Sequence, residues 1–410
     1  MPSQAVALVL LAVIAGSVLS LESFSHPLRL SSHRRDKLQL LYEAEWNSCK
    51  DHPHLTPSCR RIQRLREESR LQDRVRSYHD EIYSIAVSAG TPAQQFELGI
   101  DTGSRRTWLS VPECTSCETN ETIHHDRKKF IYSQSSTYRT NHTTDKAFYG
   151  GRGSVSGFVA KDTVDIGSRL ILSNQDVLLV DNMTHMEYYA GDGILGISFP
   201  RRGAWIPPLS VIENNTDVIK QFTVFLRKNE AEETMEGGTI TWNSIDKNNC
   251  ESEAKLVYLS HLEDEDKNAF GLWAFELTAI TYPGTRVDPP ELEVWVAISD
   301  TGAGALLGPV DAFSDFIEGQ LKATRDSETN KFRTSCATNF LPLTFVIGKD
   351  EYTVLPEQYV VKNGSECFLK LDFSTQGKGE ADWILGTPLI RSYCHTYDIA
   401  NARIAIAEHK

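Results

Sequence analysis

Basic residues are in the minority in this 410-residue chain: 42 Lys+Arg stand against 55 Asp+Glu, for a net charge of −13. The deficit is uneven. Residues 1–77 hold 12 Lys+Arg and 8 Asp+Glu, which leaves 30 and 47 for residues 78–410. An acidic body argues against nucleic acid as a partner. Past residue 20 no apolar run is long enough to span a bilayer, so no membrane span is expected and the mature protein should be soluble. Long stretches of 3.6-residue periodicity are also scarce, which argues against a helical body. Glycine, β-branched and aromatic residues are plentiful instead, as in a mostly β protein of one to three domains.

The start, "AVALVLLAVIAGSVLS", reads as a signal peptide over residues 1–20, although no Lys or Arg precedes it. Eight cysteines, an even number, suit disulfides in an oxidising compartment. Five Asn-x-Ser/Thr sequons, at Asn120, Asn141, Asn182, Asn214 and Asn363, could carry glycans. Export is the common implication, to the extracellular space or a lysosomal lumen.

Residues 28–77 include "RRIQRLREESRLQDRVR", rich in helix formers and in charge pairs. A basic helix-prone leader over residues 21–77 could partner the acidic body electrostatically; a solvated basic helix without that role is the plainer alternative. From Tyr78 onward the texture is strand and turn, beginning with "EIYSIAVSAGTPAQQFELGID". Short helices are expected around 207–221 and 309–323. A boundary is expected near 245–262, giving lobes over 78–250 and 251–410.

One pair of elements repeats. "FELGIDTGS" at 96–104 and "VWVAISDTGA" at 294–303 each run an apolar strand into Asp-Thr-Gly. "DGILG" at 192–196 and "DWILG" at 382–386 follow at intervals of 91 and 82 residues. Two lobes of similar build are implied, and a two-fold relation would bring Asp101 and Asp300 face to face. A single Asp-Thr-Gly is commonly only a turn after a strand. Two facing carboxylates, however, cannot both ionise easily, so one stays protonated and the other charged. Such a pair suits general acid–base hydrolysis through a water held between them. Thr102 and Thr301 can lock the loops across the axis. Gly103 and Gly302 permit the tight turn and aim amide N–H groups at the carboxylates.

On these motifs the chain resembles the pepsin-like aspartic endopeptidases, the group of pepsins and cathepsin D. The resemblance runs from about Tyr78 to Lys410 through "GTPAQQFELGIDTGS", "GSVSGFVAKDTV", "GDGILGISFP", "GGTITWNSID", "LLGP" and "WILGTPLIRSYCHTYDIANARIAIA". It implies a bilobal, nearly all-β fold with an interlobe cleft and a removable, helical N-terminal prosegment. Asp101 and Asp300 fall on the two catalytic positions, and Ser104 on the position whose hydroxyl serves the outer oxygen of Asp101. The flap that closes over substrate would be "KAFYGGRGSVSGFV", with Tyr149 as its tyrosine beside Gly150, and Trp108 as that tyrosine's partner. Counted back from Asp162, this hairpin carries one residue more than the family's. Ile194 and Ile384 would line the cleft.

Departures from the family cluster in the second half. Ala303 replaces the usual Ser or Thr, so Asp300 would lack the hydroxyl available to Asp101, raising an apparent pKa of the pair and its pH optimum. Gly304 and Ala305 lack a side chain that commonly bonds substrate, and Arg105 and Arg106 stand where small or amide residues are usual. By the same resemblance Cys336 pairs with Cys367 and Cys114 with Cys117, which leaves Cys250 for Cys394 and Cys49 for Cys59. A redox or zinc site is the competing reading of Cys114 and Cys117, but no second Cys-x-x-Cys or suitably spaced His pair accompanies them. The resemblance implies a monomeric acid endopeptidase made as a zymogen, its prosegment an intramolecular inhibitor, with no metal and no cofactor. Its substrates would be extended polypeptide segments of about six to eight residues. A catalytically silent, peptide-binding homologue is the rival reading.

Overall fold

The computed structural model describes residues 72–410 apart from 79, 120–125, 150–152, 168–169, 187–188, 200–218, 230–232, 260–270, 292, 328 and 375–380. The signal peptide, most of the prosegment, Cys49, Cys59, Asn120, Gly150 and Asn214 therefore lie outside the described residues. The described chain is almost entirely strand and turn, as expected. Among the described residues no helix is long and apolar enough to cross a membrane.

The strands form four sheets among the described residues, of thirteen, five, four and four strands. The largest starts at Cys250–Tyr258 and passes through Arg403–His409, Cys394–Asp398, Gln221–Leu226, Glu233–Trp242, Gln72–Tyr78 and Ile82–Ala89. It continues through Gln94–Asp101, Gly193–Gly196, Trp108–Ser110, Ile171–Thr184 and Gly153–Asp165 to the edge strand Arg139–Tyr149. Early, middle and C-terminal strands thus share one sheet, and strand Cys250–Tyr258 occupies much of the stretch expected to separate the lobes. Strand Gln72–Tyr78, inside the segment assigned to the leader, pairs with Glu233–Trp242. Its side chains are tied in: Gln72 Nε2 donates to Asp246 at 2.9 Å, and Asp73 accepts from Trp242 Nε1 at 2.8 Å.

Some strands are buried on both faces and carry their polar residues inside with them. Cys394–Asp398 is buried at every position, and Phe222 stacks on Tyr397 at 4.7 Å with Trp273 edge-on to the same ring at 4.9 Å. The expected second helix is present as Val310–Ser314, continuing as a wider π-turn over Asp315–Gln320. The first is corrected at its end. Residues 207–218 are not described, but Ile219 and Lys220 are not helical and Gln221 opens a strand.

The repeat read in the sequence is a repeat of topology. Gln94–Asp101 runs parallel to Gly193–Gly196, which is antiparallel to Trp108–Ser110, itself parallel to Ile171–Thr184. In the second half Trp295–Ser299 runs parallel to Trp383–Leu385, which is antiparallel to Leu306–Gly308, itself parallel to Leu371–Phe373. Even the aspartates that open "DGILG" and "DWILG" do the same task. Asp192 and Asp382 each accept from a backbone N–H of the neighbouring strand, Glu97 and Val296, at 2.8 Å.

Candidate active site

Each Asp-Thr-Gly loop leaves its strand and passes over a glycine of the other motif in its own half. A Cβ on Gly196 would lie 2.6 and 2.7 Å from the carbonyls of Arg106 and Ser104, and one on Gly386 2.2 and 2.3 Å from those of Ala303 and Ala305. Only a residue without a side chain admits that crossing. The two loops then lock together. Thr102 N–H donates to Thr301 Oγ1 at 3.0 Å and Thr301 N–H to Thr102 Oγ1 at 2.9 Å. Each hydroxyl donates onward across the axis, Thr102 to Ser299 O and Thr301 to Ile100 O, both at 2.8 Å. All four bonds are buried, where an unmade bond would cost about 1–3 kcal/mol.

This lock presents the carboxylates to each other. Gly103 N–H donates to Asp101 Oδ1 at 2.9 Å, and Gly302 N–H to Asp300 Oδ1 at 2.8 Å. A Cβ on Gly103 would fall 2.5 Å from the Asp300 carboxylate, and one on Gly302 2.6 Å from that of Asp101. The glycines are therefore needed for the approach of the opposite acid. Asp101 is buried, while Asp300 stays partly open to the cleft. Burial, and then the charge of Asp300, hold the Asp101 carboxyl well above the usual range against the N–H groups of Gly103 and Ser104. Burial also raises Asp300, opposed by the N–H groups of Gly302, Gly103 and Ala303 and by a bond from Asp101. The two acids therefore share one proton, and the raised titration belongs to the pair.

The expected bond from Ser104 to the outer oxygen of Asp101 is not formed. The Ser104 hydroxyl accepts from Arg106 N–H at 3.2 Å and faces Tyr149 Oη at 3.4 Å. The carboxylates take the Gly103 and Gly302 N–H groups, while the Ser104 and Ala303 N–H groups donate to the main-chain carbonyls of Asp101 and Asp300 at 3.4 and 3.3 Å. With the Ser104 hydroxyl turned away from Asp101, the contrast with Ala303 on which the expected pH shift rested is absent from this structure.

Tyr149 ends the edge strand and lines a cavity of about 310 Å³ with Asp101, Gly99, Met186, Tyr189 and Ile194. Burial and the nearby Asp101 raise its phenol, so it remains a neutral donor. Trp108 is fully buried in the same cluster and its indole N–H faces the Tyr149 hydroxyl, favouring the charged phenol against the larger effect of burial, at a distance longer than a full hydrogen bond. Ile194 lines the cavity, whereas Ile384 packs in a separate cluster with Ile298 and Ala381. Three disulfides stand as expected, Cys114–Cys117, Cys250–Cys394 and Cys336–Cys367, and with the first closed neither thiolate is left for zinc. Asn141, Asn182 and Asn363 are exposed.

Several groups at the site carry no signal in the sequence. Arg106 reaches the flap strand, its Nε and Nη2 on the Asp145 carboxylate at 2.6 and 3.0 Å. Beneath Asp300, the Ser299 hydroxyl is bonded to Tyr397 Oη at 2.8 Å and His395 Nδ1 at 3.0 Å. Lys370 is buried with its Nζ on the Asp80 carbonyl at 2.7 Å, which Arg391 also holds at 2.8 Å.

The family model for the eukaryotic aspartyl protease matches residues 82–409. Aspartic protease 6 of Caenorhabditis elegans is 31% identical over 350 residues, covering 82% of this chain and 84% of its own. Aspartic protease 1 of the same organism is 30% identical over 350 residues, covering 81% and 84%. Human gastricsin is 28% identical over 340 residues, covering 81% and 82%. With both Asp-Thr-Gly loops locked across one axis and their acids facing one another, the chain belongs to the eukaryotic aspartyl proteases and is an aspartic-type endopeptidase of the pepsin-like group.

Proposed function

We propose that this chain hydrolyses polypeptides in acid by activating a water between Asp101 and Asp300. The observation that carries the reading is the pair itself: facing carboxylates, one protonated, each fed by backbone N–H groups of its loop. Asp300, charged and partly open, takes a proton from the water as the water oxygen bonds to the substrate carbonyl carbon. Asp101 gives its proton to the carbonyl oxygen. On collapse the C–N bond breaks, Asp300 passes its proton to the amide nitrogen and Asp101 takes one from a diol hydroxyl, so the pair is again singly protonated. No acyl-enzyme forms and no metal or cofactor is used. The edge position of strand Arg139–Tyr149 suits a substrate held as an added strand.

The same reading makes the chain a secreted or lysosomal, monomeric zymogen inhibited by its prosegment. Three closed disulfides and three exposed sequons favour an oxidising compartment. The peptide-binding alternative drew on Ala303, whose N–H now matches that of Ser104. The deciding experiment is hydrolysis of an unfolded protein at acid pH, with inhibition by a statine-type peptide. Asp101→Asn and Asp300→Asn should each lower the rate more than about a hundredfold. A variant that keeps more than that fraction excludes the two-aspartate mechanism.

A further inference from the structure

Gly99 lies two residues before Asp101, inside strand Gln94–Asp101. A Cβ there would sit 2.0 Å from Tyr189 Oη and 3.2 Å from its Cζ, so the tyrosine hydroxyl lands directly on the glycine. Glycine inside a strand marks such a close approach. Tyr189 arrives from the other wall, in the segment that precedes "DGILG". Its hydroxyl donates to Gly193 O at 3.1 Å, and its ring lies 6.0 Å from that of Trp108. It shares the cavity beside the catalytic pair with Asp101, Tyr149, Met186 and Ile194.

The segment that carries this ring is braced from behind. Arg127, 5% exposed, spends its guanidinium on backbone carbonyls: Cys117 at 2.9 Å, Met186 at 3.2 Å, Tyr189 at 2.6 Å and Gly191 at 3.1 Å. Next to it the fully buried Asp192 accepts from Lys128 N–H and Glu97 N–H, both at 2.8 Å. A planar fork that saturates four carbonyls holds them in one geometry. The tyrosine is thus presented to the cavity rigidly.

We propose that Tyr189, seated on Gly99 and positioned by Arg127, sets the size of the substrate side chain admitted beside Asp101. The ring takes space that an incoming aromatic side chain would need, so the cavity favours small or aliphatic residues there. The proposal rests on reading the cleft as a peptide site, and its test separates the two. Peptides identical except for Ala, Leu or Phe at either position flanking the cleaved bond are compared by kcat/KM. A matched series of statine-type peptides with the same side chains is compared by Kd. Tyr189→Ala should raise the preference for Phe over Ala by about tenfold or more in both series. Tyr189→Phe, which keeps the ring, should stay within about twofold of the parent. Gly99→Val should lose activity and inhibitor binding, and Gly99→Val with Tyr189→Ala should restore the parent preference. Should Tyr189→Ala not fold, Tyr189→Leu reads the same preference. A folded Tyr189→Ala or Tyr189→Leu variant with unchanged preference overturns the proposal, as does a Tyr189→Phe that shifts it equally. If the parent binds the inhibitors with the expected pattern but hydrolyses nothing, the pocket inference stands and the endopeptidase reading falls. A parent that neither binds nor hydrolyses overturns both.

Discussion

Asp101 is where function and stability oppose each other. Its carboxyl titrates above its unfolded value because burial and Asp300 disfavour the charged form. The fold's preference for the protonated acid is fully present below the unfolded pKa and is lost as pH rises through the folded one. Asp101→Asn carries no such titration. Its melting temperature relative to the parent should therefore be higher at pH 7 than at pH 4, while activity is lost. Equal differences at both pH values would show that Asp101 is not held protonated. Gly302 makes a sharper demand, because a methyl group there meets the Asp101 carboxylate at 2.6 Å. Gly302→Ala should cost at least about a hundredfold in kcat with little loss of stability, since separating the acids removes the shared water's site.

At the scale of elements, the strand proposed as the flap is held on one side only. Arg139–Tyr149 is the last strand of the large sheet and pairs only with Gly153–Asp165 among the described strands. Arg106 of the first catalytic loop pins it through the paired contacts with Asp145, with the two side chains 25% and 21% exposed. The pair is still partly in solvent, so its worth is about 0.2–1 kcal/mol. Asp145→Asn should therefore raise KM about two- to five-fold with kcat nearly constant, and high salt should narrow the difference. A fall in kcat at unchanged KM would place Arg106 in the chemistry rather than in flap positioning.

For the whole molecule, buried bases give the fold an acid limit. Burial pushes His395 down to about 3 and Lys370 down to about 7. In both cases the unfolded chain binds more protons, so stability is present at higher pH and is lost as pH falls: from about 10.5 to 7 for Lys370 and from about 6.5 to 3 for His395. His395→Gln, which takes up no proton, should move the midpoint of acid unfolding down by about half a unit to one unit. Circular dichroism against pH measures this, and an unmoved midpoint would mean another group limits acid stability. The proposed removal of the prosegment has a structural bound as well. Gln72 and Asp73 are bonded to Asp246 and Trp242, so cleavage should leave Gln72 on the mature chain. N-terminal sequencing of the processed form should start at or before Gln72, and a start beyond Tyr78 would remove a sheet strand and contradict it.

What the sequence by itself determined is local chemistry repeated in register. Asp-Thr-Gly after an apolar strand has one way to turn, and two copies followed by matching glycines made the paired acids, the threonine lock and the β class legible before any contact was known. The three described disulfides and the place of Tyr149 followed from resemblance to a family with the same spacings. Tertiary structure alone decided contacts whose partners are far apart in the chain. Ser104 turns its hydroxyl to Arg106 and Tyr149, leaving Asp101 to a backbone N–H, because rotamer choice depends on what surrounds the loop. The Ala303 difference looks consequential in one dimension, but in three the Ser104 hydroxyl it is measured against faces away from Asp101. Gly99 is a strand glycine with no evident cause until Tyr189, 90 residues later, is laid upon it. Arg127 reads as one more surface cation and is buried among carbonyls of a segment some 60 residues away. Periodicity and motif report a residue's own backbone; who fills the space opposite is settled only when the sheets close.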